Sequence, residues 1–145
     1  MLDFDLIHRK MARLNMYLEK LGPVMKNSFA AYQENEYLKF STERLIQLIV
    51  ECAVDINNHV VVETNNRPPE DYRSSFSKAA EAKLITAELA QKIQGSAGLR
   101  NVLVHEYMDI DDRIVYDSVP LMMENYREYL KQVNKFIKQR KKKES

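Results

Sequence analysis

The chain has 145 residues, 45% apolar and 30% charged, with 22 basic against 21 acidic side chains for a net charge of +1. That size and make-up suit one globular domain and exclude disordered, collagen-like and multi-domain readings. No apolar run reaches the roughly 18–20 residues of a membrane span, and the charged N-terminal stretch MLDFDLIHRK is unlike a secretory signal, so a cytoplasmic chain with no membrane partner is expected.

The single cysteine, Cys52, excludes an internal disulfide and a cysteine-built metal centre, and 3 Gly with 4 Pro are too few for the turns of an all-β fold. Helix is expected throughout. Phe4, Ile7, Met11, Leu14 and Leu18 form one helical stripe over residues 3–21, which Gly22-Pro23 ends. Leu45, Leu48, Ile49, Cys52, Ile56 and Val60 mark a central buried helix from about Glu36 to Val62, with Cys52 as a buried structural thiol. The linker ETNNRPPED stops that helix, and Pro69 is placed to begin a short one over Glu70 to Ala82. Thr86 is the expected N-cap of a helix running past Leu89, Ile93 and Ala97 to about His105. Asp111-Asp112 opens a last segment carrying Met122, Tyr126, Leu130, Val133 and Ile137, which Pro120 is expected to kink or break. The fold class is therefore all-α, a four- to five-helix bundle in one domain over 1–145.

Charge is unevenly spread. Residues 131–145 hold seven Lys or Arg against Glu144, or +6, which leaves residues 1–130 at 1 − 6 = −5. Residues 138–145 are expected to be a basic, fraying helix end whose cations suit the C-terminal dipole; the other reading is a salt-sensitive attraction for phosphate backbones.

The stretch GLRNVLVHEY carries the chemistry. Gly95 and Gly98 sit in the expected helix just before Arg100, each at a cost of up to about 1 kcal/mol relative to Ala. Either the helix packs tightly on a neighbour, or the missing side chains admit another backbone or a ligand. Arg100, Asn101 and His105 follow at once. At about 100° per residue Asn101 and His105 lie about 40° apart, and Arg100 and His105 about 140° apart, so one helix alone offers no flat patch. A two-fold axis beside the helix would bring two sets into one cleft. An imidazole titrating near neutral pH, a guanidinium fork and an orienting amide suit phosphodiester cleavage. On these residues alone a structural histidine is the commoner case, by about two to one. Glu51 and Asp55, four apart on the central helix, form a like-charge pair that needs solvent or partners. With His59 and Asn58 they are candidates to support Arg100 or His105, or to lie on a solvated face. His8 is expected at the surface.

The string R-N-V-L-V-H-E-Y fits the R-x-x-x-x-H-x-Y motif of the HepT-like toxins, a branch of the HEPN superfamily. LIQLIVECAVDINNHVVV, PPEDYRSSF and LITAELAQKIQGSAGLRN extend the resemblance over residues 36–137. It implies a mostly antiparallel bundle that pairs as a homodimer, with a metal-independent RNA-cleaving site between protomers and no cofactor. It assigns Arg100 and His105 as the catalytic pair, Asn101 as the polar residue after the arginine, and Tyr107 as the acceptor of AMP from a cognate nucleotidyltransferase antitoxin. The implied partners are an RNA substrate, that antitoxin and a second copy of the chain, with further assembly left open. The alternative is a non-catalytic HEPN subunit that binds nucleotide or presents substrate to a nucleotidyltransferase.

Overall fold

A computed structural model describes residues 1–65, 67–105 and 110–144, with helices and no strand among the described residues. Among the described residues seven α-helices form: α1 (Phe4–Leu21), α2 (Phe29–Glu34), α3 (Glu36–Asn65), α4 (Tyr72–Glu81), α5 (Ala87–Ile93), α6 (Gly95–His105) and α7 (Asp112–Glu144), with a 3-10 turn over Gly22–Lys26. The α1 stripe is buried as its spacing requires, with Ile7, Leu14 and Leu18 at most 2% exposed. Side-chain oxygens start six of these helices in the usual way: Asp3, Ser28, Asn35, Asp71 and Thr86 each accept from a backbone N–H three residues on, and Asp111 accepts from Arg113 and Ile114.

Cross-helix pairs fix the directions. Asp3 N–H donates to His59 at 2.9 Å and Lys10 reaches Asp55 at 2.8 Å, so α1 runs antiparallel to α3. Tyr116 on α7 donates to the Asn27 carbonyl while Lys141 lies 3.2 Å from His8, which sets α7 antiparallel to the first segment of the chain. Lys39 meets Asp112, and Tyr129 donates to Asn57 at 2.6 Å, so α3 and α7 run parallel. α3 is the axis of the molecule. By length and composition it could cross a membrane, yet 56% of its apolar stretch is buried inside the bundle, as befits a core helix.

Three sequence expectations are corrected. The helix expected from Thr86 to His105 is two helices separated at Gln94. Ser96 Oγ donates to the Ile93 carbonyl at 2.6 Å and accepts from the Tyr126 hydroxyl at 2.7 Å, local bonds that compete with the helix ladder at that point. Gly95 is thus the first residue of α6. Pro120 causes no break, because Val119, Met122 and Met123 on both sides of it are buried and hold the turns in line. Asp71, not Pro69, starts α4, through a capping box with Ser74. Residues 138–144 continue α7, and Lys141 packs over the Phe4 ring of α1. Two elements were not anticipated. Gly22 permits the 3-10 turn to press on α7, where a Cβ would come within 3.3 Å of the Met123 methyl, and α2 follows the Ser28 cap.

Candidate active site

α6 is the element that matters for chemistry. It lays Arg100 against α3 and α4. The Arg100 side chain is only 17% exposed and is held from three directions. Nε and Nη2 donate to Glu51 Oε2 at 3.1 and 2.9 Å, Nη1 donates to Asn101 Oδ1 at 3.3 Å, and the guanidinium carbon sits 4.2 Å from the Tyr72 ring centroid. A charge-assisted bond of this kind is worth about 1.5–3 kcal/mol when partly buried, and an exposed cation over a ring adds about 0.5–1 kcal/mol. Of the guanidinium's five N–H donors these contacts use three, leaving two for a phosphoryl oxygen. The arginine is oriented but not consumed.

Tyr72 was not singled out by sequence. Asp71 caps α4 and so fixes Tyr72, its first residue, beside Arg100. Burial pushes the Tyr72 hydroxyl up from its ordinary range; Arg100 opposes that shift, and Glu51 and Asp55 reinforce it. The only signal available in the sequence was an aromatic residue directly after a strong cap.

The remaining candidates divide. Glu51 supports Arg100 directly, whereas Asp55 is taken by Lys10, so each member of the like-charge pair has its own cation. His59 accepts from Asp3 on α1, which removes it from the Arg100 cluster. His105 is the last residue of α6 and is exposed, one and a half turns beyond Arg100 on the same helix. The arginine turns away from it to Glu51 on α3. Tyr107 lies in 106–109, outside the described residues. Cys52 is buried, which pushes its thiol up and suits a structural role.

Two features flank the site. A hollow of about 550 Å³ lies between the first turns of α3 and the end of α6, lined by Lys39, Phe40, Glu43, Arg44, Gln47 and Leu103 among others. Gln47 is one turn from Glu51, so the hollow leads toward Arg100. On the other flank an apolar groove of about 250 Å³ runs between α6 and α7, with Gly95, Leu99, Ile114 and Leu121 in its walls. A Cβ at Gly95 or Gly98 would meet nothing within 4 Å, so these glycines do not serve close packing inside the chain. Ile114 and Leu121 are 59% and 60% exposed beside them.

Residues 14–139 match the model of the family described as ribonuclease HepT-like. The chain is 32% identical over 132 residues to the tRNA nuclease HepT of Aphanizomenon flos-aquae, covering 91% of this chain and 90% of the relative. It is 26% identical over 126 residues to the mRNA nuclease HepT of Shewanella oneidensis, covering 87% and 94%. Among solved structures, the tri-AMPylated Shewanella oneidensis HEPN toxin in complex with MNT antitoxin superimposes with a TM-score of 0.80 at 25% identity, over 90% of this chain and 97% of the other.

Proposed function

The chain belongs to the ribonuclease HepT-like family, and on that footing we propose that it is a metal-independent RNA endonuclease, the cytoplasmic toxin of a toxin–antitoxin pair. The observation that carries the reading is Arg100 itself. A half-buried guanidinium fixed by Glu51, Asn101 and Tyr72 keeps two N–H donors in reserve, on the same short helix as an exposed imidazole. A subunit that merely bound a partner would have no need of an arginine oriented so fully.

The chemistry follows from these two groups. His105 takes the proton of a ribose 2′-hydroxyl, the 2′-oxygen attacks the adjacent phosphorus, and the P–O5′ bond breaks with a proton delivered to the departing oxygen. The products are a 2′,3′-cyclic phosphate and a 5′-hydroxyl. Arg100 neutralises charge gathering on the non-bridging oxygens, where a preorganised donor acts most strongly. Base and acid are both needed, and the single imidazole that each chain places on α6 cannot hold both protonation states at once. A homodimer answers this, with two copies packed through the apolar groove of α6 and α7 and their His105 side chains sharing one cleft. The open faces of Gly95 and Gly98 and the exposed Ile114 and Leu121 support that arrangement.

Regulation is assigned to Tyr107 and a cognate nucleotidyltransferase. AMP on its hydroxyl would add a phosphodiester anion and a bulky nucleoside near the end of α6, repelling and excluding RNA. The AMPylated state of the Shewanella neighbour supports this, as does the match of Arg100, His105 and Tyr107 to the family motif. The test is RNA cleavage in excess chelator by the purified chain, before and after treatment with its partner and ATP·Mg²⁺. Cyclic-phosphate ends are expected before treatment, and after it an AMP adduct at Tyr107 with cleavage lost. Adduct formation on Tyr107→Phe at the native level would remove the regulatory assignment.

A further inference from the structure

Arg100 is the sole Lys or Arg of α6, and it is already paired with Glu51, while residues 1–130 carry a net charge of −5. If the chain cuts RNA, as proposed above, the neighbouring hollow adds Arg44 to the attraction for a polyanion, while its Lys39 is paired with Glu36 and Asp112 and Glu43 lies beside them. A longer RNA needs further cations elsewhere. The second half of α7 supplies them. Lys131, Lys135 and Lys138 follow one another at spacings of four and three, which places them on one face, and all three line a groove of about 920 Å³ against the turn between α4 and α5. Lys83 joins them from that turn. None of the four makes an ion pair among the described residues, and the acidic residue of the groove, Glu128, accepts from Gln132. The groove is also firmly built, since the Thr86 N–H donates to Gln132 Oε1 at 2.8 Å and ties the turn to α7.

Lys83 is the telling residue. Its φ is 67°, the single left-handed non-glycine residue among those described. Lys83 N–H bonds the Ala80 carbonyl and Leu84 N–H the Ala79 carbonyl, a pattern that closes a helix and normally places glycine where Lys83 stands. Neither the backbone nor the fold gains from a lysine there, and a row of like charges four apart weakens its own helix. A role outside the fold accounts for both.

We propose that Lys83, Lys131, Lys135 and Lys138 form a second RNA-binding surface that grips the phosphate backbone far from the scissile bond and selects long, folded RNA. The end of α6 lies level with the start of α7, and Lys131–Lys138 lie 19 to 26 residues further on from Asp112, about 30–40 Å along the axis at 1.5 Å per residue. A strand of about three nucleotides cannot bridge that distance even when fully extended, whereas a transfer-RNA-sized fold can.

The experiment measures filter binding over a salt series on the His105→Ala chain, so that binding is read whether or not the ribonuclease reading holds, together with cleavage by the chain with His105 intact. Two RNAs are used, a transfer-RNA-sized transcript and a single strand of about three nucleotides. The triple variant Lys131→Gln/Lys135→Gln/Lys138→Gln is expected to bind the transcript about ten-fold or more weakly. Its log–log salt slope should be shallower by about 2 to 3, at roughly 0.7–0.9 for each lost contact, and cleavage of the short strand should be unchanged. Lys83→Gly is expected to raise Tm while weakening transcript binding, a combination that damage to the fold cannot produce. Unchanged affinity and slope would overturn the proposal. So would an equal loss on both RNAs, or intact RNA binding with lost binding of the nucleotidyltransferase.

Discussion

Two groups of cations in this molecule stand in opposite conditions. Arg100 is gripped by a carboxylate, an amide and an aromatic face and can hardly move; the lysines of the α7 groove are exposed and make no ion pair among the described residues. The contrast separates two uses of positive charge. A guanidinium that must meet charge only as it develops gains from orientation fixed in advance, since no reorganisation is then needed at the moment of reaction. Charges that gather a polyanion need freedom and number, and each acts by releasing counterions rather than by geometry. Loss of the first should slow the chemical step, and loss of the second should weaken binding.

The sharpest break in that comparison comes from removing the oriented group or its companion. His105→Ala and Arg100→Ala are each expected to lower the cleavage rate about 10³-fold or more, read as single-turnover decay of a labelled RNA. The two differ in stability. His105 is exposed, so its loss leaves Tm unchanged, whereas Arg100→Ala leaves Glu51 half-buried without its cation and should cost about 1–3 kcal/mol.

Next in size is the effect of splitting the pair of copies. Leu121→Asp puts a charge in the middle of the apolar groove, and light scattering should then find a monomer with about 10²-fold less activity and unchanged far-UV circular dichroism. Glu51→Gln keeps the size of the side chain but removes the charge that fixes Arg100. A rate loss of about 10- to 100-fold with unchanged RNA affinity is expected, because the arginine remains present but unoriented.

The smallest effect concerns Glu43, in the hollow beside the site. Burial raises its carboxyl, Asp112 adds to the rise and Lys39 offsets part of it. A raised folded value means that the stability Glu43 contributes is complete at low pH and is lost as pH rises through that value. Glu43→Gln should therefore raise Tm at neutral pH by about one or two degrees and flatten its dependence above the usual carboxylate range.

Much of the fold was legible because periodicity and caps act locally. The stripes on α1 and α3, the Thr86 cap and the Asp111 start all follow from side chains within one turn of each other. What escaped was tertiary. The break at Gln94 depends on Ser96 meeting the Tyr126 hydroxyl 30 residues away, and the continuity of α7 through Pro120 depends on buried neighbours on both sides. At the site, Arg100, Asn101 and His105 were visible as a motif. That Glu51 binds Arg100 while Asp55 binds Lys10 is a matter of which helix lies opposite each of them, which spacing along α3 alone does not say. Tyr72 over the guanidinium and Lys83 in a left-handed turn were hidden for the same reason.

The most direct test of the division between oriented and unpaired charge is single-turnover cleavage of a folded RNA as protein concentration is raised to saturation, compared across the native chain, Glu51→Gln and the Lys131/Lys135/Lys138 triple variant. The lysine variant is predicted to need about ten-fold more protein and then to reach the native rate, while Glu51→Gln saturates at the native concentration and stays slow. A lysine variant that stays slow at saturation, a Glu51→Gln chain that recovers there, or a native chain that leaves the RNA intact would contradict the account.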